Sequence, residues 1–155
     1  MKITLPALID PHVHFRTPGH EHKENWISGA KAALQSGVTT VIDMPNNKPS
    51  CTTHERLIEK HALVQEQIKA SGIPLRYYFY FGADKNHLKE IPKAKEHAIG
   101  IKVFMGSSTG ELLIDDPESL ETVFQIAKDN DMLISVHAED EEIIRLKKRI
   151  SLDPS

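Results

Sequence analysis

Five short apolar runs alternate with helical patterns along the chain, and this alternation limits the possible folds more than any other feature of the sequence. The runs are nearly free of polar residues, as expected of strands covered on both faces. They lie at 5–15, 39–46, 75–83, 99–106 and 132–139. No hairpin signal joins neighbouring runs, and the unit repeats about every 30 residues, so the sequence predicts βαβ units and a parallel sheet.

Three of the segments between the runs place apolar side chains on one helical face. These stripes are Trp26, Ala30, Ala33 and Leu34; Leu57, His61, Val64 and Ile68; and Leu120, Val123, Phe124 and Ala127. Thr52 and Glu55 predict a capping box at the start of the second helix, and Pro117 lies in the first turn of the third. Pro92 weakens the helix pattern at 88–98, whereas residues 140–150 predict a last helix.

Two folds are consistent with this order of elements, a doubly wound parallel sheet and a (β/α)8 barrel. The first strand is not followed by the G-x-G-x-x-G pattern of dinucleotide-binding sheets, which disfavours that function. A whole barrel takes about 250 residues, so the five units of this chain are too few to close one. The alternation alone leaves both folds open.

Composition excludes several classes of function. The net charge of -3 argues against nucleic-acid binding, and the one basic cluster, residues 145–149, is predicted to be a solvated helix end rather than a binding patch. No apolar run approaches the roughly 18 residues of a membrane span. The apolar segment at the start of the chain is too short for a signal peptide. Cys51 has no partner for a disulfide, so we expect a cytoplasmic protein. From the net charge and the lack of an apolar span, we expect it to bind neither nucleic acid nor membrane.

Polar residues gather where the apolar runs end. The first run ends with His12, His14 and Arg16, the second with Asn46 and Asn47, and the fourth and fifth contain Lys102 and His137. Parallel α/β enzymes carry their sites at the carboxyl ends of the strands, so these side chains are expected to lie close together. Taken singly, each has a plainer interpretation: a hydrogen-bonded core histidine, a lysine that reaches solvent, or an asparagine in a turn.

A buried lysine beside imidazoles suggests a specific chemistry. Burial disfavours the ammonium form of Lys102, and a neutral amine can react with carbon dioxide to give a carbamate. That anion could bridge two cations, and imidazole ligands suit zinc. His12, His14, Lys102 and His137 are therefore predicted to hold a binuclear zinc site.

The motifs "DPHVHFRTPG", "MPNN", "GIKVFMG" and "VHAE" together resemble the amidohydrolase superfamily and, within it, the dihydroorotases. The resemblance runs along residues 1–155 and implies a (β/α)8 barrel with its first five units present. In that family, the residues that match His12 and His14 bind one metal, the lysine that matches Lys102 is carboxylated and bridges both, and the match of His137 binds the second. The matches of Arg16 and Asn46 hold the substrate carboxylate. Hydantoinases, dihydropyrimidinases and allantoinases lack this arginine.

The implied reaction is the reversible closure of N-carbamoyl-L-aspartate to dihydroorotate in pyrimidine biosynthesis, a hydrolase-type reaction at a cyclic amide. A hydroxide acidified by two cations attacks the ring carbonyl. The stretch "GSSTGELL" at 106–113 is either a mobile cover or an ordinary loop.

Family members continue for three further units, which supply another histidine ligand and the aspartate that acts as general acid and base. We therefore expect no catalytic residue of that kind in this chain and no appreciable activity from it alone. Expected partners are the small-molecule substrate, the missing C-terminal barrel half or a second copy, and aspartate transcarbamoylase. The alternatives are a non-catalytic barrel piece with a scaffolding role and a related hydantoinase- or allantoinase-type hydrolase.

Overall fold

The computed structural model describes residues 3–106 and 112–152, with side chains described as far as residue 148. A five-stranded parallel sheet runs through this part of the chain. Its strands are β1 (Leu8–Val13), β2 (Val38–Asp43), β3 (Arg76–Gly82), β4 (Gly100–Phe104) and β5 (Ile134–His137). They are hydrogen-bonded in the order β1-β2-β3-β4-β5. A doubly wound sheet reverses its strand order at a switch point, so this sequential order identifies the fold as part of a (β/α)8 barrel.

Four α-helices and one 3₁₀ helix connect or follow the strands in the described part of the chain. They are α1 (Trp26–Gln35), α2 (His54–Ser71), the 3₁₀ helix (Leu88–Ala94), α3 (Pro117–Asp129) and α4 (Glu141–Leu152). The weak pattern at 88–98 thus forms a 3₁₀ helix with Pro92 inside it. Within the residues described, no helix combines the length and the hydropathy that a membrane span requires.

The predicted capping box of α2 is wrong by one residue. Thr53 is the N-cap, and its hydroxyl accepts a hydrogen bond from the amide of Arg56 (3.3 Å). Thr52 is fully buried instead, and its hydroxyl accepts from the Arg56 guanidinium (3.3 Å). Glu55 therefore has no place in the cap, although it lies in the first turn, where a carboxylate favours the helix dipole.

The sheet separates two apolar clusters because successive strand residues point to opposite faces. The larger cluster lies between the sheet and the helices and includes Trp26, Val41, Leu57, Val64, Phe79, Ile101, Val103, Val123 and Ala127. The smaller lies on the other face and consists of Ile42, Met44 and Tyr80. Phe124 does not belong to the core stripe of α3 as predicted, because its side chain is 48% exposed.

The two outer strands are not covered on both faces, contrary to the expectation for every apolar run. Leu8 and Ile9 of β1 are 47% and 64% exposed, and Val136 of β5 is 42% exposed. All five residues of the inner strand β4 are buried. An eight-stranded barrel has no outer strands, so these exposed side chains mark the positions at which a closed barrel would continue.

Candidate functional site

The candidate site begins at an irregularity in β1. Two residues separate Asp10 from Val13, whereas only one separates their partners on β2, so β1 accommodates an extra residue there. Pro11, which has no amide hydrogen to donate, lies within this bulge. The Asp10 carboxylate accepts a hydrogen bond from the amide of His12 (3.0 Å). Bulges of this kind re-aim side chains next to functional sites.

His12 lies within the bulge and His14 just beyond the end of β1, and their ring centroids are 5.3 Å apart. Burial is the main cause that lowers the pKa of both imidazoles below the usual 6.5. Lys102 lowers the pKa of His12 further, and Arg16 does the same for His14. Both rings therefore favour the neutral form, which is the form that binds metal ions.

Lys102 is buried in the middle of β4, with 1% of its surface exposed. Its neighbours Ile101 and Val103 pack toward the helices, so Lys102 points to the opposite face of the sheet. Its Nζ lies 5.1 Å from the ring centroid of Phe104. The alternative that this lysine reaches solvent is wrong, and burial lowers its pKa. A lowered pKa increases the fraction of free amine, the species that can form a carbamate.

His137 is the last residue of β5 and pairs in register with Phe104 of β4. The two rings lie 6.0 Å apart. The Nε2 atom of His137 is buried and makes no hydrogen bond in the described structure, although Glu139 Oε1 lies 3.1 Å away. The metal-ligand role of His137 and the plainer interpretation, a hydrogen-bonded core histidine, both stay predictions. His137 is also near enough to His12 to lower its pKa.

These four side chains are neighbours, but they do not form a ready-made metal cluster. Within residues 3–106 and 112–152, no three His, Cys, Asp or Glu side chains are arranged so that they could hold a metal ion. The structure brings His12 and His14 together and places Lys102 and His137 within electrostatic range of His12. Convergence of all four on a metal stays a prediction.

The two residues expected to bind a carboxylate follow β1 and β2. Arg16 is half-buried and has a positive φ of 62°, in the left-handed region that few non-glycine residues adopt. Asn46 is half-buried, and its Oδ1 is a buried atom without a hydrogen-bond partner in the described structure. A buried acceptor of this kind is rare unless a ligand or water satisfies it. The stretch 106–113 falls mostly outside the described residues.

Sequence analysis missed two charged residues directly behind this site, Asp43 and Lys60. Both are 1% exposed and form an ion pair of 2.6 Å between β2 and α2. The sequence contains one signal for this arrangement. Lys60 follows Leu57 by three residues and precedes Val64 by four, so it occupies a position of the apolar stripe of α2. A lysine on a buried helix face requires a partner.

Comparisons with known proteins identify the family of this chain. The model of the amidohydrolase family matches residues 3–152. A dihydroorotase of Halobacterium salinarum is 37% identical over 143 residues, covering 88% of this chain and 31% of the relative. A dihydroorotase of Methanosarcina mazei is 38% identical and covers 91% of this chain and 30% of the relative. A multifunctional protein CAD of Squalus acanthias is 37% identical over 114 residues, covering 74% of this chain and 5% of the relative.

Solved structures show the same fold. An L-hydantoinase (dihydropyrimidinase) from Arthrobacter aurescens superimposes with a TM-score of 0.81 at 28% identity, over 97% of this chain and 33% of the other. A dihydroorotase from Saccharomyces cerevisiae, in complex with 5-fluoroorotic acid, has a TM-score of 0.70 at 21% identity and supports the fold alone. That match covers 89% of this chain and 37% of the other.

The strand order defines a partial (β/α)8 barrel. The chain belongs to the amidohydrolase family. It spans about a third of the length of the dihydroorotases that it matches.

Proposed function

We propose that this chain provides the metal-binding and carboxylate-binding part of a dihydroorotase-type hydrolase. The observation that carries the proposal is Lys102, a fully buried amine on β4 that lies within electrostatic range of His12 and His14. Arg16 adds a planar guanidinium fork, which matches a carboxylate in geometry and charge. The similarity to dihydroorotases supports the same substrate, whose ring carries a carboxylate.

The residues fit zinc by the chemistry of their donors. Two neighbouring imidazoles that favour the neutral form, a third imidazole with a buried Nε2, and a buried amine are an appropriate donor set. We propose that His12, His14, His137 and carboxylated Lys102 hold two zinc ions. Bound zinc would supply a Lewis acid for the ring amide carbonyl and lower the pKa of a water molecule.

The remaining work of this chain is binding and orientation. Arg16 and Asn46 would hold the carboxylate of dihydroorotate or N-carbamoyl-L-aspartate, Arg16 through its fork and Asn46 through its side-chain amide. Holding the ring at one edge presents its amide to the metal-binding residues. The general acid–base aspartate is expected from another part of the barrel.

Completion of the barrel requires further strands beside β1 and β5. We propose that these come from a C-terminal barrel half, with a second copy of this chain as the alternative. The similarity to a multifunctional protein supports an association with aspartate transcarbamoylase. We also propose a cytoplasmic location, because the only cysteine is buried and cannot form an intrachain disulfide.

Two other functions remain candidates, each with an observation in its favour. A hydantoinase-type activity is favoured by the close superposition on the L-hydantoinase, but the guanidinium of Arg16 would then have no carboxylate to bind. A scaffolding role without catalysis is favoured by the lack of a ready-made three-ligand metal cluster among the described residues.

A substrate comparison tests the proposal. This chain would be combined with the downstream half of a related dihydroorotase, and ring opening of dihydroorotate would be compared with that of dihydrouracil and hydantoin. We expect turnover of dihydroorotate only, and a ¹³C carbamate signal from Lys102 after exposure to ¹³C-bicarbonate. Preference for the rings without a carboxylate would favour the hydantoinase type. Lack of both turnover and bound zinc would favour the scaffold.

A further inference from the structure

The buried pair Lys60–Asp43 is saturated with hydrogen bonds. Lys60 Nζ donates to Asp43 Oδ2 (2.6 Å), to the backbone carbonyl of Met44 (3.1 Å) and to Asn47 Oδ1 (2.9 Å). It also lies 4.7 Å from the ring centroid of Phe79. An ammonium group has three hydrogens, so each of them has an acceptor. Full satisfaction of this kind is what a buried charge requires, and it leaves the Lys60 head group one orientation.

The other oxygen of Asp43 reaches the first strand segment. Asp43 Oδ1 accepts a hydrogen bond from the amide of Phe15 (2.8 Å), 28 residues away in the chain. Phe15 is the residue between His14 and Arg16, and it lies beyond the end of β1. Beyond the end of β1, the Phe15 amide has no partner in a neighbouring strand of the described structure. The Asp43 carboxylate accepts its hydrogen bond instead and so holds the backbone between His14 and Arg16.

The same lysine also restrains the loop after β2. Asn47 is buried, and its side-chain oxygen is held by Lys60. Its neighbour Asn46 carries the buried, unpaired Oδ1 of the candidate site. The Lys60 ammonium group is thus linked to the backbone beside both residues that are proposed to bind the carboxylate. It is linked through Asp43 to the residue before Arg16, and through Asn47 to the residue after Asn46.

We propose that the Lys60–Asp43 pair is a positioning unit that sets the orientation of Arg16 and Asn46 and thereby the recognition of a carboxylate-bearing ring. This inference rests on the proposed function. Neither residue of the pair touches the substrate. If the ion pair were merely structural, its removal would lower stability and would change the affinities for all ligands equally. A positioning unit would change the affinity for a carboxylate-bearing ligand more than the affinity for a ligand without a carboxylate.

The first test measures amide hydrogen exchange in the chain itself. Lys60→Met alone leaves the Asp43 carboxylate buried without its partner, which can unfold the protein, so the decisive variant is Asp43→Asn combined with Lys60→Met. The double variant keeps an acceptor for the Phe15 amide but removes the ammonium group that orients it. The matched control is Lys69→Met, because Lys69 is an exposed lysine on the same helix.

We expect the Phe15 amide to exchange at least tenfold faster in the double variant, while the amide of Ile101, which donates to Leu133 in the sheet, is unchanged. The control leaves both amides unchanged. Equal acceleration of both amides in the double variant, or no acceleration of either, would overturn the proposal.

The second test measures binding of orotate and uracil, a ring pair that differs in the carboxylate, to the combined barrel. In the double variant, the affinity for orotate is expected to fall at least tenfold while the affinity for uracil stays the same. An equal fall for both ligands would reduce the pair to a structural role. If the barrel without substitutions does not bind orotate more tightly than uracil, the proposed function is wrong. Hydrogen exchange of the Phe15 amide still shows in that case whether the Lys60–Asp43 pair positions this peptide.

Discussion

Arg16 combines an unusual backbone conformation with a side chain that is proposed to bind the substrate carboxylate. Its φ of 62° is costly for a residue with a Cβ, and such conformations persist where the surroundings over-determine them. The surroundings here are the amide of Phe15, held by Asp43, and the Phe15 ring, which packs edge-on against Trp26 at 4.8 Å. A fixed peptide before Arg16 limits the directions in which the guanidinium can point, which suits recognition of a planar carboxylate.

Arg16→Lys tests the fork independently of the charge and of the backbone, because lysine is no more strained at this φ than arginine. Lysine cannot donate two parallel hydrogen bonds to a carboxylate. In the combined barrel, kcat/KM for dihydroorotate is expected to fall by an amount that corresponds to about 1–3 kcal/mol, the range for a charged hydrogen bond. Steady-state kinetics provide the measurement, and an unchanged kcat/KM would assign Arg16 a structural role.

Individual elements differ in how far the sequence predicts them. Four strands lie within the predicted apolar runs, and β2 begins one residue before its run, because buried parallel strands have that composition. The run at 5–15 is longer than β1, because pairing with β2 begins at Leu8 and ends at Val13. The adjacency of His12 and His14 follows from their spacing.

The Lys60–Asp43 pair could not be predicted in the same way. Alternation along β2 indicates which residues share a face, and the stripe of α2 indicates that Lys60 is buried. Neither pattern specifies that α2 packs over the end of β2 at the height of Asp43. That contact depends on how α2, the helix that follows β2 in the chain, packs back onto the end of this strand.

Packing of α1 against the end of β1 supports the site, and Gly29 is its closest point. A Cβ at residue 29 would lie 2.8 Å from Cδ1 of Phe15, whose ring has little room to move beside Trp26. Gly29→Ala is therefore expected to lower the free energy of unfolding by about 1–3 kcal/mol, the usual cost of overpacking. Urea denaturation measures this loss.

Gly37→Ala is not a suitable control because of its positive φ of 82°, so Ser36→Ala at the exposed end of α1 serves instead. A stability equal to that of the unchanged chain would mean that the Phe15 ring can move.

At the scale of the whole molecule, the sheet has two open edges. Exposed apolar side chains and backbone groups on β1 and β5 favour association with further strands. In the proposed function, a closed barrel adds further ligands to the set of His12, His14, Lys102 and His137. Barrel closure and metal binding are therefore expected to depend on each other.

The most direct measurement compares this chain alone with the chain after addition of the downstream barrel half of a relative. Zinc content, oligomeric state and turnover of dihydroorotate would be determined on both samples. Addition of the downstream half is expected to produce bound zinc and turnover together, whereas the chain alone has neither at a comparable level. A chain that is monomeric, fully metallated and active without any added polypeptide would contradict this account.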